Sequence, residues 1–403
     1  MVSTLITNIG EFFTGEIEHP TADVSSLYIE DGRIRTLDPA ADRTTADRTI
    51  DAKGGAVLPG IIDGHVHPVF GEWTPTQDTV GWIRNYLHGG TTSMVSAGEL
   101  HLPGLDYQNL TPDLVTNLAL VVRATTGRVR WSEVKVHAGT VLMVPGMMEE
   151  HFDKLAEAGS ILAKFLFYPL NKDPDEAKRY VRWCHDRGLR VKVHTGGVSR
   201  SGANDVCGYE ILSWLQPDVA AHVSGGPIPM CDEDLDELVD HTEFALELCS
   251  SGNYQSFIRV VKRLAEQGRL NRLTLGTDTP GGTGVIARGM LRNMTFLTSV
   301  CGLTAGQTIA IATGNTALAH GLEEGFLRPG APADIVIAGR IEGSAGTSFT
   351  EAFEHGDLPG ITTVLVDGKI VVRSRSAQTP PPANLAEIEV SADYPAGGCP
   401  ICC

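Results

Sequence analysis

Residues 161–197 read ILAKFLFYPLNKDPDEAKRYVRWCHDRGLRVKVHTGG and hold one complete strand–helix–strand unit. Ile161–Pro169 is apolar apart from Lys164, and Leu189–Gly197 is a second strand that runs through His194. Runs of this length and composition suit strands buried on both faces. Between them, Asp173 can cap a helix, Pro174 suits its first position and Glu176 completes a capping box. Ala177, Tyr180, Val181 and Cys184 then share one face at i, i+3, i+4, i+7 spacing. Strand, helix and second strand predict parallel pairing, because a parallel return needs a crossover of that size.

The same alternation extends in both directions. Val57–His67, Thr91–Glu99 and Val134–Leu142 precede the unit, and Val219–Gly226, Glu243–Gly252 and Leu273–Pro280 follow it. Strands alternating with helices through residues 57–320 predict an α/β fold, a (β/α)8 barrel. An open doubly wound sheet is the alternative, but no GxGxxG follows a first strand. Residues 1–56 read differently, as short strands at Thr4–Ile9, Ser26–Glu30, Arg33–Leu37 and Arg48–Ala52, with an Asp31-Gly32 hairpin turn. Residues 321–378 return to that pattern in Asp334–Ala338, Val364–Val366 and Ile370–Val372, with a turn at Asp367-Gly368. The two β-rich ends most economically form one small β-sandwich around the inserted barrel. Residues 379–403 read as a Pro/Ala/Gly-rich tail ending in Cys399-x-x-Cys402, expected to carry little functional weight.

Composition excludes several classes of function. Aspartate and glutamate number 49 against 32 lysines and arginines, a formal charge of −17 that repels phosphate backbones and anionic lipid. Nucleic acid and membranes are therefore not expected partners. No apolar run approaches the ~20 residues that cross a bilayer. The opening residues lack a basic stretch followed by an apolar core, so no secretory signal is expected. Cys184, Cys207, Cys231, Cys249 and Cys301 are scattered without framework spacing, which suits a reducing cytoplasm.

Polar residues stand where a barrel should be apolar. His65 and His67 lie in Asp63-Gly-His-Val-His67, and i, i+2 spacing puts both imidazoles on one face of a strand. His194 and His222 end two further strands, and Asp278 follows the eighth. Each alone suits a satisfied core histidine or a turn aspartate. A barrel gathers strand ends at one mouth, and four imidazoles with a carboxylate there suit divalent zinc, with iron, manganese or cobalt also admissible.

This constellation resembles the amidohydrolase superfamily, with H-x-H on the first strand, Lys or Glu on the fourth, His on the fifth and sixth and Asp on the eighth. "VLPGIIDGHVH" (57–67) and the return segment "RPGAPADIVI" (328–337) extend the likeness over most of the chain. "VKVHAG" (134–139), "HTGGVS" (194–199), "HVSGGP" (222–227), "GTDTPGGTG" (276–284), "MLRNM" (290–294) and "ATGN" (312–315) are most similar to the enamidase family. That resemblance implies cleavage of a ring C–N amide bond at a binuclear centre of His65, His67, Lys164, His194, His222 and Asp278, and it implies a tetramer. The enamidase pattern carries a glutamate near the fourth-strand position; this chain has Lys164 and no acid within 161–170. Lys164 in "AKFLFYP" looks more like the carboxylated lysine of hydantoinases and dihydroorotases, whose carbamate would bridge two metals.

The chemistry expected is hydrolysis of a lactam or imide, with the metals making hydroxide available near neutrality and Asp278 passing its proton to the leaving nitrogen. His137 at the end of the third strand, Tyr168 after the fourth and Arg200 after His194 are the expected substrate contacts, with Glu99 and His101 at the rim. The alternative is a hydrolytic deaminase on the same scaffold. Such enzymes add a glutamate shortly after a strand histidine, whereas Thr195-Gly-Gly-Val198 and Val223-Ser-Gly-Gly226 supply none. A non-catalytic scaffold would have shed ligands, and all candidates are present.

Overall fold

The computed structural model describes residues 2–39, 45–74, 77–98, 102, 104–128, 132–199, 204–226 and 228–391. Two five-stranded sheets face each other at one end of the molecule. One runs Glu387–Val390, Arg48–Asp51, Ser3–Thr7, Leu27–Glu30, Arg33–Leu37 in spatial order. The other runs Glu11–Phe12, Ala56–Pro59, Ile335–Gly339, Gly360–Val366, Lys369–Val372. Ile6, Ile29, Ile34 and Ile50 from the first sheet bury against Val57, Ile335, Ile337 and Leu365 from the second. This is the sandwich built from both chain ends. Asp31 and Gly32 both take positive φ, 53° and 75°, as a two-residue hairpin turn between right-twisted strands requires.

Among the described residues nine parallel segments make the eight strand positions of the barrel, the third position being split into Lys135–His137 and Val141–Leu142. Three lie in one hydrogen-bonded run, Lys135–His137, Thr91–Ser96 and Ile61–Val66. The rest form a second run, Val141–Leu142, Leu162–Phe165, Arg190–His194, Val219–Ala221, Ala245–Cys249 and Leu273–Gly276. Closure is made beyond the last strand: Asp278 N donates to His65 O at 2.9 Å and His67 N to Thr279 O at 2.8 Å. Those two bonds tie the H-x-H segment directly to the aspartate. Helices such as Pro112–Arg128, Pro174–His185 and Tyr254–Glu266 cover the outside.

The helix of the opening stretch forms as its residues dictate. Asp173 accepts from Glu176 N at 2.9 Å, Pro174 opens the helix, and Ala177, Tyr180, Val181 and Cys184 are buried. The expected capping box is not completed. Glu176 instead accepts from the Tyr168 hydroxyl at 2.6 Å and from Gly146 N at 3.2 Å. Three other expectations change. Val57–His67 is two elements: Ala56–Pro59 pairs antiparallel with Ile335–Gly339 in the sandwich, and the barrel begins at Ile61. The third barrel strand breaks at Gly139, whose φ of +91° separates Lys135–His137 from Val141–Leu142. Glu387–Val390, within the stretch read as tail, adds a strand against Arg48–Asp51. Cys399 and Cys402 lie outside the described residues.

Candidate metal centre

Strand alternation decides what enters the barrel. On Leu162–Phe165, Phe165 faces the helices and meets Tyr168 with ring centroids 5.3 Å apart, so Lys164 points inward. It is 1% exposed, and its Nζ lies 3.2 Å from His65 Nε2. Asp278 Oδ1 is 3.2 Å from His67 Nε2 and 3.6 Å from His65 Nε2. The His222 ring sits 5.1 Å from that of His65 and 4.5 Å from that of His194, centroid to centroid. The structure thus gathers His65, His67, Lys164, His194, His222 and Asp278 at one end of the barrel, all of them buried.

The hydrogen bonds around these groups fit a cation. His67 Nδ1 is 2.7 Å from Gly98 O, a carbonyl that can only accept, so Nδ1 carries the proton and Nε2 presents a lone pair. That lone pair faces a carboxylate oxygen at 3.2 Å. Two acceptors at that distance need a proton or a cation between them. His65 Nδ1 lies 2.5 Å from Glu247 Oε1, which likewise leaves its Nε2 lone pair turned towards Asp278. His194 Nε2 is committed to Gly197 O at 3.0 Å. Nδ1 of His222 is buried with no hydrogen-bond partner among the described residues. Neutral imidazoles and an ionised carboxylate are the donor set a zinc-like ion takes.

Charge states agree. Burial, with the charge of Lys164 beside them, pushes His65 well below the usual histidine range and His194 down to about 4. Burial and the neighbouring His194 do the same for His222. Burial acts to raise Asp278, but the adjoining His67 ring and the charge of Lys164 outweigh it, so its carboxyl stays well below the ordinary range. Burial and the charge of Lys192 bring Lys164 down to about 8.

Two loop ends are built under strain. His222 and Asp278 both take positive φ, 38° and 61°, conformations that cost of order 1–3 kcal/mol and persist where the surroundings over-determine them. Gly282 makes room for the second. A Cβ there would come within 1.9 Å of Asp278 Oδ2. Gly282→Ala is therefore expected to fold yet lose at least ~10-fold in turnover, since the carboxylate must move to admit the methyl. Steady-state rates beside a thermal melt check it, and parent-like turnover would show that the loop yields instead.

Two expected substrate contacts lie elsewhere. His137 Nε2 is 2.6 Å from Glu324 Oε1, which also accepts from Ser93 Oγ at 3.2 Å. On the same strand face Lys135 pairs with Asp334 at 2.7 Å. The short strand ends at His137 before its partner Thr91–Ser96 does, so the ring bonds to the C-terminal return segment instead of standing at the mouth. Tyr168 is turned outward, its hydroxyl on Glu176 and its ring against Tyr180 at 5.8 Å. Arg200, Glu99 and His101 lie outside the described residues.

Two charged residues that sequence reading did not single out complete the interior. Glu247, on Ala245–Cys249, and Lys192, two residues before His194, are both fully buried and meet at 2.7 Å. The signal was available: Glu247 is a charge at an alternating position of an otherwise apolar strand, as Lys164 is, and Lys192 alternates with Val191 and Val193 ahead of His194. Cys249, two residues further along the same strand, has its Sγ 3.9 Å from Glu247 Oε1, and Asp63 accepts from Thr277 N at 2.9 Å.

Comparison with known proteins agrees with this architecture. The profile of the Amidohydrolase family matches residues 56–371. The chain belongs to the amidohydrolase family. It is accordingly an enzyme, a hydrolase. The chain is 36% identical over 392 residues to the enamidase of Eubacterium barkeri, covering 96% of this chain and 100% of that protein. The crystal structure of an enamidase superposes with a TM-score of 0.90 at 35% identity, over 96% of this chain and all of the other. An adenine deaminase from Ruegeria sp. is 26% identical, over 87% of this chain and 54% of its own length. Triazine hydrolase, at 16% identity and a TM-score of 0.62, shares the fold. No helix among the described residues of this amidohydrolase is long and apolar enough to cross a membrane.

Proposed function

We propose that this amidohydrolase opens an N-heterocyclic lactam or imide by hydrolysing its ring C–N bond, in the manner of an enamidase. The observation that carries the reading is the convergence of the His67 Nε2 lone pair, Asp278 Oδ1 and the His65 Nε2 lone pair within hydrogen-bonding reach of one point. The full-length likeness to the Eubacterium barkeri enamidase supports the choice of bond. His65, His67, His194, His222 and Asp278 would hold the divalent metal, zinc by donor type, and a carbamate on Lys164 would add anionic oxygen donors. Ions held there supply Lewis acidity and acidify water.

The chain's own groups do the rest. Water adds oxygen to the carbonyl carbon, the C–N bond breaks, and the nitrogen must gain a proton to leave. Asp278, ionised and strained into place, accepts the proton the water loses and delivers it to that nitrogen. The products are a carboxylate and the released nitrogen group, an amine from a lactam or an amide from an imide, joined through the opened ring.

A turnover screen of hydantoins, dihydropyrimidines, succinimides and tetrahydropyridone carboxylates, with metal content measured on the same samples, tests the proposal. Ring opening by protein holding one to two equivalents of divalent metal is the expected result. Ammonia release without ring opening would replace it with the deaminase reading, and turnover by fully metal-depleted protein would end it.

A further inference from the structure

Among the groups the proposed hydrolysis leaves unused, the most conspicuous is a fully buried ion pair in the barrel interior. Glu247 and Lys192 are both 0% exposed, with Nζ 2.7 Å from Glu247 Oε2. The two carboxylate oxygens have separate duties: Oε2 takes the lysine, and Oε1 takes His65 Nδ1 at 2.5 Å. Lys192 makes a second bond, donating to Gly64 O at 2.6 Å, one residue before His65 in the chain. The same pair therefore grips both the ring of His65 and the backbone of its strand. Glycines clear the space for it. A Cβ at Gly64 would stand 3.2 Å from Glu247 Oε2, and one at Gly276 would come within 2.5 Å of His65 Cβ.

We infer that Glu247 is a positioning residue, whose carboxylate, clamped by Lys192, holds His65 in the tautomer and ring orientation that turn its Nε2 lone pair towards Lys164 and Asp278. This rests on the reading of His65 as a metal ligand. An imidazole whose far nitrogen is free can present either nitrogen to an ion and can turn about its Cβ–Cγ bond. A fixed acceptor removes both freedoms, and losing such a partner commonly costs 10–100-fold in metal affinity. A buried pair serving stability alone behaves differently, since replacing both partners by apolar groups of similar size is often neutral or stabilising.

Metal titration separates the two roles without reference to turnover. Metal-depleted protein is titrated with zinc against a chromophoric chelator and with cobalt(II) by absorption, for the parent and two double variants, alongside thermal melts. Glu247→Gln with Lys192→Met keeps an acceptor for His65 and removes both charges; it should bind zinc within about 3-fold of the parent. Glu247→Met with Lys192→Met removes the acceptor; it should melt near the parent yet bind zinc 10–100-fold more weakly, with an altered cobalt spectrum. Equal zinc affinity in the two double variants overturns the inference. Should the Met pair fail to fold, Glu247→Asp is read instead, because it keeps the charge and withdraws the oxygen from His65. Weakened zinc binding there supports the role and parent-like affinity overturns it. His65→Ala serves as the control. If it binds zinc as the parent does, the metal-centre reading itself falls; if it loses zinc while the Glu247 variants do not, only the role of Glu247 falls.

Discussion

Lys164→Ala is expected to be inactive and to retain at most half of the parent's metal, with a short carboxylic acid such as propionate restoring part of both. The side chain enters a closed, 1% exposed position between the third and fifth barrel strands, its Nζ 3.2 Å from His65 Nε2. Burial and the charge of Lys192 bring it down to about 8, so the free amine is far more accessible near neutrality than that of an exposed lysine. A free amine adds carbon dioxide and releases one proton, leaving a carbamate with a single negative charge over two oxygens. Such a group can bridge two cations, which the imidazoles cannot do. Alanine leaves a cavity along the missing butyl chain, and a small carboxylate entering it supplies two oxygens without the covalent link. Metal analysis and turnover on one preparation, with and without propionate, check this. Full activity in the variant would end the carbamate bridge and leave a one-metal site.

Asp278→Asn is expected to stay folded, keep most of its metal and lose at least ~10²-fold in turnover, the usual scale for a positioned acid–base group. Asparagine tolerates the positive φ of 61° that this position imposes, so the loop need not rearrange. Its amide can still lie beside His67 Nε2, where Asp278 Oδ1 sits at 3.2 Å. What the amide cannot do is accept a proton and pass it on. Because the native carboxyl is held well below the ordinary range, it is ionised through the neutral region and available as the acceptor. Near-parent rates in the asparagine variant would remove the proton-carrying role and leave Asp278 as a ligand only.

How much of this was legible before folding differs from residue to residue. His65 and His67 could be paired from spacing, because a strand repeats every two residues and no partner is needed to know that the two rings share a face. His194, His222 and Asp278 could be assigned to the same mouth because parallel strands all end on one side. Lys164 stood out as a charge in an apolar run. Glu247 and Lys192 carried the same mark, but a charge in a strand names no partner, and theirs are each other across 55 positions and His65 across 182. Tyr168 and His137 were placed by chain position near strand ends. Their side chains follow where each strand stops and what lies behind it: Glu176 on a helix for one, Glu324 on the return segment for the other.

The barrel, its two-ended sandwich, the family likeness and the ligand types can be read along the chain, because periodicity, turn residues and strand-end chemistry are local properties. Folding closes the barrel through Asp278 N to His65 O and His67 N to Thr279 O, and thereby brings residues more than two hundred positions apart to 3.2 Å. It also decided that Ala56–Pro59 belongs to the sandwich and that Glu387–Val390 joins it. The physical reason is common to all of these. Which strand edge finds which partner, and which buried charge finds its counter-charge, is settled by the free energy of the whole packed chain, where an unpaired backbone group or an uncompensated ion costs more than any local preference can return.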